Sequence, residues 1–294
     1  MGNLIMKSLR SYILNRMTLL CLMGIIISTF VVAGETTPPP AQKMKQSLGK
    51  WTYPMEGKQQ EGPFIFFTPP AWDGNTPIPM LIFLHGAGYR GNDISKLDQD
   101  EILKQIRAGR VFDAIVVCPQ VGSYWAGEQA AVFIDQALEK FAGKFDPDRV
   151  YLTGESSGGG GTWEGAKLRA GVLAAAVPIA TTLGKKEGAE KLVNLPIWAF
   201  HNIHDPYQVV EKSRIQVKAV KDAGGKYVFL TEYTVTAGKE KDGIWPNTHK
   251  QSWEAAYNYK PMWDWLFRQR RGKPDLSLDP PPQIQVPENK QKPD

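Results

Sequence analysis

Six short apolar runs, spaced so that helix-length segments fit between them, restrict this chain more than any other feature. They are PMLIFLH (79–85), AIVVCPQ (114–120), RVYLTG (149–154), AAAVPIA (174–180), PIWAFH (196–201) and KYVFLTEY (226–233), with FIFFT (64–68) as an earlier candidate. Several are apolar at every position rather than at alternate ones, so both faces of each strand must be covered. The segments between them carry helical patterns, at 94–109, 128–145, after residue 156, 209–225 and 252–271. Strand and helix in alternation predict an α/β layered fold with a mostly parallel central sheet and helices on both faces.

The ends of the chain read differently. Residues 1–16 carry Lys7, Arg10 and Arg16 and no acid, residues 17–33 are a continuous apolar stretch, and Val31-Val32-Ala33 supplies the small residues of a cleavage site. We read 1–33 as a signal peptide cut after Ala33, with an uncleaved membrane anchor as the alternative. Residues 34–50 read as a Pro-rich linker, 51–272 as the folded domain, and 273–294 as a disordered Pro-rich tail. Loss of the leader takes three positive charges from a net charge of +5, leaving +2. No Lys/Arg cluster remains to suggest nucleic acid. The mature chain keeps one cysteine, Cys118, in an apolar run, so an exported domain must hold together without an internal disulfide.

In a parallel sheet, reactive groups gather on loops at the carboxyl ends of the strands. The glycine-rich YLTGESSGGGGTW (151–163) lies there, between a strand and a helix, and contains Gly154-Glu155-Ser156-Ser157-Gly158. This matches G-x-S-x-G, in which a strained strand–helix bend exposes a serine and needs small residues two before and two after it. Ser157 would put Glu155 at the first of those positions, so Ser156 is the candidate nucleophile. The Ser157 N–H and the following helix dipole would favour an oxyanion. No Gly-Lys-Ser/Thr follows, which removes a phosphate loop. Gly86-Ala87-Gly88-Tyr89-Arg90-Gly91 formally matches a dinucleotide motif but lacks an acid at the end of the next strand. It serves better as a second source of oxyanion N–H groups, from Ala87 or Gly88.

A serine needs a base, and the base needs a carboxylate. Of His85, His201, His204 and His249, only His249 lies after the last strand candidate. His85 comes too early and reads as structural. Asp205, at the end of PIWAFH, is the candidate acid, with Asp222 and Asp242 as fallbacks. The group His201-Asn202-Ile203-His204-Asp205 lacks metal-ligand spacing and a third ligand, so neither metal nor cofactor is expected. Tyr89, Tyr124, Trp125, Trp163, Trp245 and Trp253 fall on or near the loops. Trp125 and Trp253 are the candidate substrate contacts, and Trp163 reads as core.

Taken together, LIFLHGAGYRG, VVCPQ, DPDRVYLTGESSGGGGTW, AAAVPIA, PIWAFHNIHDP and HKQSWEAAY with its following WDWL resemble the α/β-hydrolase superfamily. The resemblance is to its secreted esterases and predicted peptidases: polyhydroxybutyrate-depolymerase-like, feruloyl-esterase-like and dienelactone-hydrolase-like proteins. It spans roughly residues 60–270 and implies Ser156 as nucleophile, Asp205 as acid, His249 as base, and N–H donors at Ala87 or Gly88 and at Ser157. Ser157 stands where relatives often carry methionine, the approach AGKEKDGIWPNTH to His249 is longer than their usual turn, and Trp253 falls one residue late. The implied activity is hydrolysis of small-molecule, polysaccharide or polyester esters by a secreted or periplasmic enzyme. A peptidase and a catalytically silent binding protein are the alternatives.

Overall fold

The computed structural model describes residues 43–233, 248–275 and 277. The leader, residues 34–42 of the linker, Asp242, Trp245 and the tail from 278 lie outside these residues. Eight strands form one sheet: β1 (Lys45–Met55), β2 (Lys58–Thr68), β3 (Ile78–Leu84), β4 (Ile115–Pro119), β5 (Phe145–Glu155), β6 (Ala175–Ile179), β7 (Ile197–Asn202) and β8 (Val228–Tyr233). Their spatial order is β1-β2-β4-β3-β5-β6-β7-β8. β1 pairs antiparallel with β2 and β2 with β4, while every other pairing is parallel. The fully apolar runs are the parallel strands, as double coverage requires.

Strand alternation divides the core into two layers. Met80, Ile82 and Leu84 of β3 point to one face, packing with Phe133 of α2 (Gly127–Lys140), Trp163 of α3 (Ser157–Arg169) and Val217 of α4 (Glu211–Asp222). Leu81 and Phe83 point to the other, packing with Ile102 of α1 (Glu101–Arg107), Tyr257 of α5 (Thr248–Asn258) and Leu266 of α6 (Lys260–Arg268). Trp163 is buried in the first layer, as expected of a core residue. Cys118 is wholly buried in the second, and burial pushes its thiol well above its usual pKa. Chain lacking the leader is therefore expected to show no titratable thiol to Ellman's reagent when native and one when unfolded in guanidinium. Reaction of the native protein would contradict this packing.

Three elements depart from the sequence reading. β1 begins at Lys45, inside the segment assigned to a linker. It is an edge strand whose residues 45–50 are almost all exposed, so KQSLGK carries no apolar pattern, and only Trp51 and Tyr53 reach the core. The helix expected over 94–109 is divided at Asp100, whose extended backbone separates a 3₁₀ turn (Ile94–Gln99) from α1. The helix expected over 252–271 is divided at Tyr259 into α5 and α6. Pro261 has no N–H and would collide with the carbonyl four residues back, which is that of Tyr257. That freed carbonyl instead accepts from Trp263 Nε1 at 2.7 Å and Arg110 Nη1 at 2.9 Å.

Candidate active site

Ser156 stands between the last residue of β5 and the first of α3, with φ 52° and ψ −113°. This conformation is strained for a side chain bearing a Cβ and fits the bend that the glycine pattern predicts. Its N–H donates to Ile179 O at 2.9 Å, and its carbonyl accepts from Gly160 N–H at 3.0 Å, so both sides of the turn are tied down. A Cβ at Gly158 would overlap the Leu84 carbonyl, and one at Gly154 would overlap the carbonyl of Gly158. Those two positions let α3 start hard against the ends of β3 and β5. Ser157 is buried, and its Oγ accepts the Trp125 backbone N–H at 3.0 Å. Its hydroxyl therefore fastens the loop after β4, while Ser156 faces the other candidates.

Those candidates converge on Ser156. His249 Nε2 lies 2.9 Å from Ser156 Oγ, and His249 Nδ1 lies 2.5 Å from Asp205 Oδ2. Asp205 follows β7, and its Oδ1 accepts the N–H groups of Tyr207 at 2.9 Å and Gln208 at 2.8 Å. Burial alone would raise this carboxyl, but hydrogen bonds from His201, His249 and the Gln208 N–H outweigh it and hold the group below the usual carboxylate range. His249 occupies the first turn of α5 rather than the loop before a helix. Thr248 Oγ1 donates to His204 O at 2.8 Å, Asn202 Nδ2 to Thr248 O at 3.3 Å, and Asn202 N–H to Ser252 Oγ at 3.1 Å. The start of α5 is thereby pinned to the end of β7, which places acid and imidazole side by side. The fallback Asp222 ends α4 and pairs with Lys218 on the surface.

The second loop of the site follows β3. Ala87 and Gly88 form the start of a 3₁₀ turn (Ala87–Tyr89), with Gly88 exposed. Gln120 Nε2 donates to the carbonyls of Tyr89 and Asp93, each at 2.8 Å, and Gly91 N–H donates to Val121 O at 2.9 Å. His85 is fully buried, with Nδ1 2.7 Å from Gly86 O and Nε2 accepting the Val121 N–H at 3.2 Å. Burial lowers its pKa to about 4, so it stays neutral and structural.

The two tryptophans that are candidate substrate contacts are both buried. Trp125 is 4% exposed; its indole donates to His85 O at 3.1 Å and stacks on Trp51, bracing the loop from beneath. Trp253 is 7% exposed and meets the His249 ring edge-to-face at 4.8 Å, so it backs the imidazole. Both are large, mostly apolar rings, for which the interior is the favourable place. Among the described residues, no group of three His, Cys, Asp or Glu is arranged to hold a metal.

No protein-family model matches this sequence, and no curated protein matches it. Solved structures do. A thermostable esterase is 30% identical over 76% of this chain and 63% of its own, with a TM-score of 0.63. A candidate dienelactone hydrolase from Klebsiella pneumoniae is 16% identical over 76% of this chain and 99% of its own, with a TM-score of 0.53. An acylaminoacyl peptidase of Pyrococcus horikoshii is 15% identical over 82% of this chain and 44% of its own, with a TM-score of 0.57. The chain has the α/β-hydrolase fold of these structures. It spans 63% of the esterase and 44% of the peptidase, whose remaining parts have no counterpart in the aligned region.

The site also contains groups to which the sequence assigned no role. His201 is fully buried beside Asp205, with Nε2 2.6 Å from Gln208 O and 3.4 Å from Asp205 Oδ2, and Nδ1 2.7 Å from Ser213 Oγ. The Gln208 carbonyl can only accept, so Nε2 carries the proton and the Ser213 hydroxyl donates to Nδ1. Tyr207 is 68% exposed, with its ring 5.8 Å from that of His249, and so stands at the rim of the site. Position offers the only signal for it: it lies two residues after the candidate acid, on a loop at a strand's carboxyl end.

Proposed function

We propose that this chain is a serine hydrolase that cleaves carboxylic esters through an acyl-enzyme on Ser156. The observation that carries the reading is the continuous file Ser156 Oγ, His249 Nε2, His249 Nδ1, Asp205 Oδ2, with steps of 2.9 and 2.5 Å across hydrogen bonds. His249 takes the Ser156 proton as Oγ attacks the carbonyl carbon, and Asp205 fixes the tautomer and balances the imidazolium. The oxyanion forms against the Ser157 N–H, which has no acceptor within α3 because it is the first helical residue, and against that of Ala87 or Gly88. His249 then protonates the leaving alcohol, and a water activated in the same way releases the acid. Esters rather than amides are favoured by the 30% identity to an esterase. The exposed Tyr207 offers an aromatic face to the acyl or alcohol group, whether it belongs to a small molecule, a polysaccharide or a polyester.

A fluorophosphonate probe followed by peptide mass spectrometry tests the assignment, with modification expected on Ser156 at one equivalent per chain. Ser157→Ala should label at a rate close to that of the parent chain yet unfold more readily. It strands the buried Trp125 N–H at a penalty of about 1–3 kcal/mol. Labelling on Ser157, or turnover of peptide p-nitroanilides with none of p-nitrophenyl acetate or butyrate, would overturn the nucleophile or the ester preference respectively.

A further inference from the structure

Directly beneath the nucleophile lie two carboxyl groups that the mechanism above does not use. Glu155, the residue before Ser156, and Asp100, which caps α1, are both fully buried. Asp100 accepts the Glu101 N–H at 2.7 Å and also the N–H of Gly86, the residue at the root of the oxyanion loop. Among the described residues, both oxygens of Glu155 and Oδ2 of Asp100 receive no donor, yet the two side chains meet within hydrogen-bonding reach. A Cβ on Gly86 would fall 3.1 Å from Glu155 Oε1 and 3.8 Å from Ser156 Cβ, so loop, pair and nucleophile turn are in direct contact.

Two carboxylates cannot meet in a dry interior with both ionised, because desolvation and like charge act in the same direction. A proton between them removes one charge and supplies the missing donor. We propose that Asp100 and Glu155 hold one proton in common and act as a positioning pair, Glu155 donating to Asp100 and Asp100 holding Gly86. The oxyanion loop is thereby fixed relative to the Ser156 turn. The inference rests on the reading of Ser156 as nucleophile.

Burial raises both groups, Asp100 to about 7 and Glu155 well above the usual carboxyl range. The other titratable groups facing the pair are Tyr89, Glu101, Lys104, Cys118 and Tyr257. Of these, Glu101 resists ionisation of the pair and Lys104 favours it. A folded-state pKa above the unfolded one gives stability that is complete below about pH 4 and is lost as pH rises through the folded value. Loss of the shared proton at alkaline pH leaves two anions in contact and releases the loop.

The test compares the parent chain, Asp100→Ala and Glu155→Gln in their fluorophosphonate rate constants from pH 6 to 10, with melting temperature recorded at each pH. Asp100→Ala frees the Gly86 N–H and is expected to slow phosphonylation by about 100-fold at pH 7.5, the scale of a misplacement near 1 Å. Glu155→Gln carries a permanent donor to Asp100. It should recover most of the rate that the alanine variant loses, while flattening both the alkaline decline in rate and the fall in melting temperature with pH. Rate and melting profiles of Glu155→Gln that superimpose on the parent's, or a parental rate in Asp100→Ala, would overturn the inference. If Asp100→Ala does not fold, the Glu155→Gln profiles decide alone. A parent chain that never labels at Ser156 would instead sink the proposed function, while the melting profiles still report on the shared proton.

Discussion

Ser156→Ala is expected to lower kcat on p-nitrophenyl acetate by roughly 10⁴- to 10⁶-fold with little change in KM, measured on protein free of background esterase. The size follows from the role: without Oγ there is no acyl-enzyme, and what remains is binding and the oxyanion donors acting on water. The strain at this residue provides a control that separates chemistry from folding. At φ 52° and ψ −113°, alanine keeps the unfavourable backbone of serine, whereas glycine does not. Ser156→Gly should therefore be as inactive as Ser156→Ala but more stable by about 1 kcal/mol in urea unfolding. An active Ser156→Ala would remove the nucleophile from the proposal, and a glycine variant less stable than the alanine one would mean that the strain is not real.

The sheet was largely legible in the sequence because parallel strands buried on both faces are apolar at every position, which leaves few other readings for runs such as AIVVC. Sterics favoured Ser156 over Ser157, since Glu155 would stand where the bend needs a small residue, and in the structure Ser157 Oγ accepts the Trp125 N–H. Chain order pointed to His249, and a place at the carboxyl end of a strand pointed to Asp205. What escaped was set by partners distant in sequence. β1 depends on pairing with β2 and has almost no pattern of its own. Trp125 and Trp253 lie near the loops in sequence, but that they back the His85 loop and the His249 ring is decided by packing, and both are buried. His201 and Tyr207 gain meaning only once the loop after β7 curls back on itself. Asp100 acquires its neighbour 55 positions away only when the start of α1 folds against the end of β5, although Glu155, the residue before Ser156, was in view from the beginning.

The second large effect is expected from Asp205→Asn, and the hydrogen bonds around the carboxylate dictate its direction. Oδ1 accepts two backbone N–H groups, from Tyr207 and Gln208, while Oδ2 faces His249 Nδ1 and, more distantly, His201 Nε2. An asparagine must keep its oxygen on the Oδ1 side, because an NH₂ there would confront two donors. Its NH₂ then replaces Oδ2 and donates to His249 Nδ1. The imidazole is driven to carry its proton on Nε2, pointing at Ser156 Oγ, so it can no longer accept the serine proton. The loss in kcat at neutral pH should be about 10⁴-fold, with the protein folded. In the parent chain the lowered carboxyl contributes stability that is full above about pH 4 and is lost as pH falls through its folded value. Asp205→Asn should accordingly show a flatter decline in melting temperature between pH 5 and 2. A variant that retains near-parental kcat would place the acid elsewhere, and an unchanged acid limb of stability would mean that the carboxylate is not held by these hydrogen bonds.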